Sequence, residues 1–190
     1  QVNQAGYEAA FDTIVYKDAY YMQCDSTVLA ERFWDMFVVD AFIGNWDRHN
    51  GNWGFLYNTV TDEMTLAPVY DCGSSLYPQA DEVIMEAVLT DRKELDYRIF
   101  EIPTSAVTLE GKKVKYFSFI SSLQNEGCNQ ALRRIVPKIN MGRIYEIIDT
   151  TPFVSDLQKR FYKTMLAERR EKILVKALQR IRKKENELAR

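Results

Sequence analysis

The stretch Gly44-Asn45-Trp46-Asp47-Arg48-His49-Asn50-Gly51-Asn52 sets a carboxylate five residues ahead of a carboxamide, and Tyr70-Asp71-Cys72-Gly73 adds a second carboxylate directly after an apolar run. Transfer of a phosphoryl group asks little covalent chemistry of a protein. It needs one carboxylate to orient or deprotonate the attacking hydroxyl, and oxygen ligands for divalent cations that neutralise charge on the phosphates. Asp47 suits the first task. Asn52 and Asp71 offer hard oxygen donors, and Mg²⁺ characteristically takes one or two carboxylates with substrate phosphates and water. An Asp, an Asn five residues on and then Asp-x-Gly is a layout that phosphoryl-transfer sites use.

Two carboxylates held about 5 Å apart at an effective dielectric near 20 repel by roughly 3 kcal/mol. A fold that gathers Asp47 and Asp71 therefore gains from a cation between or beside them, and Arg48 is the non-metal alternative. Arg48 and His49 read as supports of the loop, bonding main-chain groups, with Asn45 and Gly73 as further supporting positions. His49 is the only histidine. A zinc site with several imidazoles is thereby excluded, as is a Ser-His-Asp or Cys-His nucleophile that does not use this ring. Gly111-Lys112-Lys113 lacks the preceding glycine and following hydroxyl of a phosphate-binding loop and reads as a surface turn. Cys24, Cys72 and Cys128 are odd in number and widely spaced, which suits reduced thiols.

The elements that must position these groups are partly legible. After Asp25-Ser26-Thr27, apolar residues from Val28 to Phe42 recur at spacings of three and four, predicting a buried helix over about 27–43 that stops at Gly44 and Asn45. The Asp47 segment then lies in the loop leaving that helix. Trp53 to Tyr57 and Thr65 to Tyr70 are β-type runs around a turn-like Asn58 to Glu63, predicting a hairpin that returns Asp71 to the side of Asn52. Pro68 cannot donate to a ladder and fits best at an edge of such a sheet. Past Pro78 the pattern is weak until helices over 114–123, 129–139 (perturbed by Pro137) and 141–148. Ser155-Asp156-Leu157-Gln158 has the form of a capping box opening a long terminal helix.

With 190 residues and 46% apolar content the chain can bury the core of one domain. No run of 18 or more apolar residues is present, so a cytoplasmic protein with no membrane partner is expected. Residues 155–190 hold 12 Lys/Arg against 5 Asp/Glu, and residues 1–154 hold 13 against 22. Opposed charge within one molecule favours a basic helix that faces the rest of the chain or a partner, rather than a nucleic-acid arm. The opening from Gln1 to Tyr21 carries neither a start methionine nor a leader, which suggests a longer protein.

On Asn45, Asp47, His49, Asn52, Tyr70 and Asp71, the chain resembles the HipA-like family of bacterial serine/threonine kinases, in which a helix leads into an N-x-D-x-H-x-x-N loop, a hairpin and a Tyr-Asp ligand. The likeness is specific over residues 28–75. It implies an α+β, predominantly helical, kinase-like C-terminal lobe with a short catalytic hairpin. It further implies Asp47 as catalytic base, Asn52 and Asp71 as Mg²⁺ ligands, ATP as donor and a protein hydroxyl as acceptor. A small DNA-binding antitoxin is an implied partner, and a toxin or regulatory kinase an implied role. Residues 1–26 lack the glycine-rich loop, strand Lys and helix Glu of a nucleotide-binding lobe. The division read from this is a lead-in over 1–26, a catalytic helix, loop and hairpin over 27–75, a helical region over 76–154 and a basic terminal helix over 155–190. The isolated chain is expected to be inactive without its missing N-terminal lobe. Phosphoinositide kinases share the Asp-Arg-His-x-x-Asn arrangement of Asp47 to Asn52. A lipid-kinase lobe, or a catalytically lapsed scaffold binding through its basic helix, are the alternatives.

Overall fold

The computed structural model describes residues 26–109 and 111–189. The lead-in expected over 1–26, apart from Ser26, and the thiol of Cys24 lie outside the described residues.

Helix α1 (Ser26–Ile43) is the central element. Its apolar residues are too many for one stripe, and Leu29, Phe33, Trp34, Met36, Phe37, Val38, Ala41 and Phe42 are all buried, as befits a helix packed on several sides. It stops where expected. Gly44 takes φ +70°, and the Asn45 amide reaches back to the Asp40 carbonyl at 3.0 Å, the pattern of a left-handed C-terminal cap.

Beyond the loop, β1 (Phe55–Asn58) pairs with β2 (Glu63–Leu66) in antiparallel register, from Phe55 opposite Leu66 to Asn58 opposite Glu63. The hairpin is shorter than its apolar runs. Trp53 leaves the ladder to bury itself against Met36, and the second strand ends at Leu66, two residues before Pro68, which has no N–H to donate. One further bond, Ala67 N–H to the Gly54 carbonyl at 2.9 Å, keeps the two chains side by side at the open end.

The region after Pro78 holds more structure than its pattern suggested. Two short helices, α2 (Glu82–Thr90) and α3 (Arg92–Phe100), start on Asp81 and Asp91, whose carboxylates accept from the amides of Ile84 and Lys93. A second antiparallel hairpin follows, β3 (Thr104–Leu109) and β4 (Lys112–Lys115), with Gly111 at φ +75° in its turn. The helix expected from Val114 therefore begins at Tyr116 instead, because Val114 is the inward residue of β4.

Helices α4 (Tyr116–Ser122), α5 (Glu126–Ile135) and α6 (Met141–Thr150) close the middle of the chain, with a 3-10 turn over Val136–Lys138 where Pro137 interrupts the helix. Helix α5 lies against α1, and Trp34 stacks on Phe119 with ring centroids 5.7 Å apart. The capping box forms reciprocally: the Gln158 amide donates to Ser155 Oγ at 3.2 Å and the Ser155 amide to Gln158 Oε1 at 2.9 Å. The terminal helix runs as α7 (Asp156–Arg169), a π-helical stretch over Arg170–Val175 and α8 (Lys176–Leu188). Phe161, Ile173 and Leu174 on it are fully buried. Part of its basic charge is used within the chain, Arg180 donating to the Ser121 carbonyl at 2.7 Å. The described residues form an α+β, mainly helical fold with two separate two-stranded sheets. No helix among the described residues is long and apolar enough to cross a membrane.

Candidate active site

The loop after α1 is built around a buried ion pair. Asp40, in the last turn of α1, is 2% exposed and Arg48 is 8% exposed. Arg48 donates to the carboxylate through Nε at 3.0 Å and Nη2 at 3.1 Å, and Asn45 Nδ2 adds a bond at 2.9 Å. Burial pushes the Asp40 carboxyl above its ordinary range, and the hydrogen bonds from Arg48 and Asn45 and the guanidinium charge pull against it.

Arg48 has donors to spare. Its Nη1 donates to the Asn52 carbonyl at 2.6 Å and to the Tyr70 carbonyl at 2.5 Å, and Nη2 reaches Cys72 Sγ at 3.3 Å. One planar fork thus ties the start and the end of the hairpin segment to each other through Nη1 while its other two nitrogens hold Asp40, a combination that a point-charge ammonium could not make. The Tyr70 hydroxyl adds a second tie, donating to the Gly51 carbonyl at 3.2 Å. Asp71 follows Tyr70 and takes φ +51°, a left-handed conformation that Asp tolerates better than most side chains. The loop is also fixed from below: Tyr116, at the start of α4, donates to the Asn45 carbonyl at 2.7 Å, and burial raises its phenol well above the usual range.

Within this frame the sequence-predicted residues occupy distinct places. Asn52 is buried and its Nδ2 donates to the Asp47 carbonyl at 2.7 Å, so Asn52 lies directly beside Asp47. With the amide nitrogen so engaged, Oδ1 is left without a hydrogen bond among the described residues. The carboxylates of half-buried Asp47 and exposed Asp71 likewise have no hydrogen bond or ion pair among them. Asn45 bonds Asp40 and also accepts the Asp47 amide at 3.2 Å. His49 is exposed, and its Nδ1 accepts from the Gly51 amide at 2.9 Å. A Cβ on Gly51 would stand 2.9 Å from Cε1 of the exposed His49 ring, which would have to turn aside. Gly73 is less constrained, since a Cβ would meet only Asp71 Oδ1 at 3.8 Å.

Among the described residues no group of three or more His, Cys, Asp or Glu side chains is placed to hold a metal ion. The donor set here is an amide oxygen and one or two carboxylates, all hard oxygens, which suits a cation that completes its shell with phosphates and water. Tyr116, Asp40 and Arg169 escaped the sequence reading. Asp40 is the lone acid among Phe37, Val38, Val39, Ala41 and Phe42, a signal for a buried, paired carboxylate. Arg169 is 1% exposed and donates through Nε to the Ala41 carbonyl at 2.8 Å, through Nη1 to the Arg98 carbonyl at 3.1 Å and to Tyr77 Oη at 2.9 Å. It sits at the C-terminal ends of α1 and α3, where the helix dipoles favour a cation.

The model of the HipA-like C-terminal domain matches residues 2–142. The chain is 43% identical over 175 residues to serine/threonine-protein kinase CtkA of Helicobacter pylori strain J99, across 92% of this chain and 54% of that protein. The crystal structure of a Helicobacter pylori proinflammatory kinase CtkA is similar with a TM-score of 0.80 and 47% identity, covering 83% of this chain and 57% of that one. The chain therefore spans a little over half the length of these relatives.

Proposed function

The chain belongs to the HipA-like C-terminal domain family, and from that membership we propose that it forms the catalytic lobe of an ATP- and Mg²⁺-dependent protein serine/threonine kinase. The observation that carries the reading is the Arg48 fork, which binds the carbonyls of Asn52 and Tyr70 through one nitrogen and so ties the Asp47–Asn52 loop to the residue preceding Asp71.

In this reading Asp47 receives the acceptor. Its carboxylate, free of other hydrogen bonds among the described residues, takes the hydroxyl proton as the serine or threonine oxygen forms its bond to the γ-phosphorus and the bond to the β-phosphate oxygen breaks. Asn52 Oδ1 and the Asp71 carboxylate would hold magnesium, which when bound neutralises charge on the phosphates. Asn52 Nδ2 fixes the Asp47 backbone, Arg48 fixes Asn52 against Tyr70, and Asp40 fixes Arg48. Catalysis by positioning requires this kind of rigid relay. The relatives extend well beyond the matched length, and donor binding in this reading draws on a second, N-terminal lobe. A small DNA-binding antitoxin is the proposed partner of the whole protein.

The test is phosphoryl transfer by the longer protein containing this chain, supplied with Mg²⁺, ATP and protein substrates. Serine or threonine phosphorylation that disappears in Asp47→Asn supports the assignment. Equal activity in that variant removes Asp47 from its role, and transfer to lipid alone replaces the acceptor class.

A further inference from the structure

Beside the loop, on the Trp46 side, lies a cavity of about 440 Å³ whose walls include Trp46, Tyr77, Pro78, Pro103, Arg98 and Lys113. Trp46 directly precedes Asp47, and it is 37% exposed. Tyr77 and Pro78 belong to the segment that leaves Asp71, pinned under the end of α1 by the Leu76 amide donating to the Ile43 carbonyl at 2.9 Å. Both flanks of the proposed site therefore contribute to this one cavity.

Its charge is one-sided. No Asp or Glu is among its lining residues, whereas Arg98 and Lys113 are. Neither half-buried Arg98 nor exposed Lys113 forms a salt bridge among the described residues, whereas half-buried Arg134 and Lys172 do. Arg98 Nε is buried with no hydrogen-bond partner. The Tyr77 hydroxyl makes no bond to it: it shares its one proton between the carbonyls of Arg98 and Ile102 and accepts from Arg169, a third cation behind the wall. A buried donor without an acceptor is costly. Because that Nε is closed off from solvent, a carboxylate entering this space would meet Arg98 and Lys113 as two charges of its lining, while Trp46, Pro78 and Pro103 would cover its aliphatic stem.

Resting on the kinase reading, the geometry points to this cavity as the subsite that selects the acceptor polypeptide: it takes an Asp or Glu side chain close in sequence to the hydroxyl presented to Asp47. An acidic residue is favoured over an apolar one by the charge, and a polypeptide over a lone anion by the apolar wall that continues to Trp46.

The experiment uses the longer protein and pairs of serine peptides that differ only in Glu or Gln flanks. Binding is read by calorimetry in parallel with KM and kcat. The acidic member of a pair should bind about tenfold more tightly, with the difference in KM rather than kcat. Arg98→Gln and Lys113→Gln should each erase most of that preference, and Lys113→Glu should shift it toward Lys flanks, with an unfolding midpoint near wild type as the check on folding. Equal affinity for Glu and Gln peptides, or a preference untouched by all three variants, overturns the assignment. So does inorganic phosphate competing fully at millimolar concentration, which would mark a general anion site. Acid-dependent binding without phosphorylation of any peptide leaves the subsite standing and defeats the kinase reading instead.

Discussion

Arg48 and Asp40 meet side-on across the end of α1, Nε to Oδ2 at 3.0 Å and Nη2 to Oδ1 at 3.1 Å, both side chains withdrawn from solvent. This orientation leaves Nη1 for the two carbonyls of the hairpin ends.

Arg48→Met strands a buried carboxylate and frees both carbonyls. The expected cost is about 3–5 kcal/mol, the usual penalty for breaking a buried pair from one side. Arg48→Lys should recover only part of it, because an ammonium cannot reach the carboxylate and both carbonyls in one plane. Urea unfolding of the three proteins measures this, and a loss below about 1 kcal/mol for the Met variant would show that the pair contributes little.

Asp47→Asn in the longer protein should lower kcat by roughly 10²–10⁴-fold, the range of a lost general base. Its unfolding midpoint should not move, since the Asp47 carboxylate makes no hydrogen bond among the described residues and the loop bonds use its main chain. A parallel fall in stability would mean that the carboxylate is structural.

Asp71→Asn keeps a side chain that tolerates φ +51°. Calorimetry of the longer protein with ATP should show the Mg²⁺-dependent part of the affinity weakened about tenfold or more, equivalent to roughly 1.4 kcal/mol. Affinity that is indifferent to Mg²⁺ in the parent protein would take Asn52 and Asp71 out of a metal shell altogether.

Gly127→Ala tests how α1 meets α5. A Cβ there would lie 2.5 Å from both Cδ1 and Nε1 of Trp34, so the indole or the helix must shift. Overpacking of this kind costs about 1–3 kcal/mol even though Ala is the better helix former. A thermal midpoint equal to or above wild type would mean that the Trp34 contact yields freely.

The described thiols should differ sharply. Cys72 is exposed and Cys128 is buried, with burial pushing the Cys128 thiol up to about 12. In a Cys24→Ser background, an alkylating reagent at pH 8 should modify Cys72 quickly and Cys128 only on unfolding. Because the folded thiol titrates above the ordinary cysteine range, its contribution to stability is complete below about pH 9 and is lost as pH rises toward 12. The alkaline fall in stability should flatten in Cys128→Ala, and an unchanged slope there would contradict the assignment.

Much of this architecture was legible because local signals and tertiary contacts agree. Helix α1 announced itself through Leu29, Phe33, Phe37 and Ala41, and the return of Asp71 toward Asn52 followed from turn residues between two β-type runs. The second strand was read through Pro68 to Tyr70 but stops at Leu66, because Pro68 cannot donate to the ladder. Helices α2 and α3 were harder: they are nine residues each, α3 is largely polar, and their clearest marks are the capping carboxylates of Asp81 and Asp91. The β3–β4 hairpin was obscured because Val114 is the only apolar residue in its second strand. What no linear pattern could supply is the reach of Arg48 to both hairpin ends, or of Arg169 to Ala41, since side-chain direction across 128 residues is decided only by the assembled core.

Arg169 lies beyond the last residue of the family match, which ends at position 142, and yet its guanidinium grips the α1 carbonyl three residues before Gly44. The physical module is therefore longer than the family boundary. Trimming the chain at that boundary would unplug the helix end from which the Asp47 loop departs, and an excised lobe stopping there would carry its chemistry on an unanchored stem.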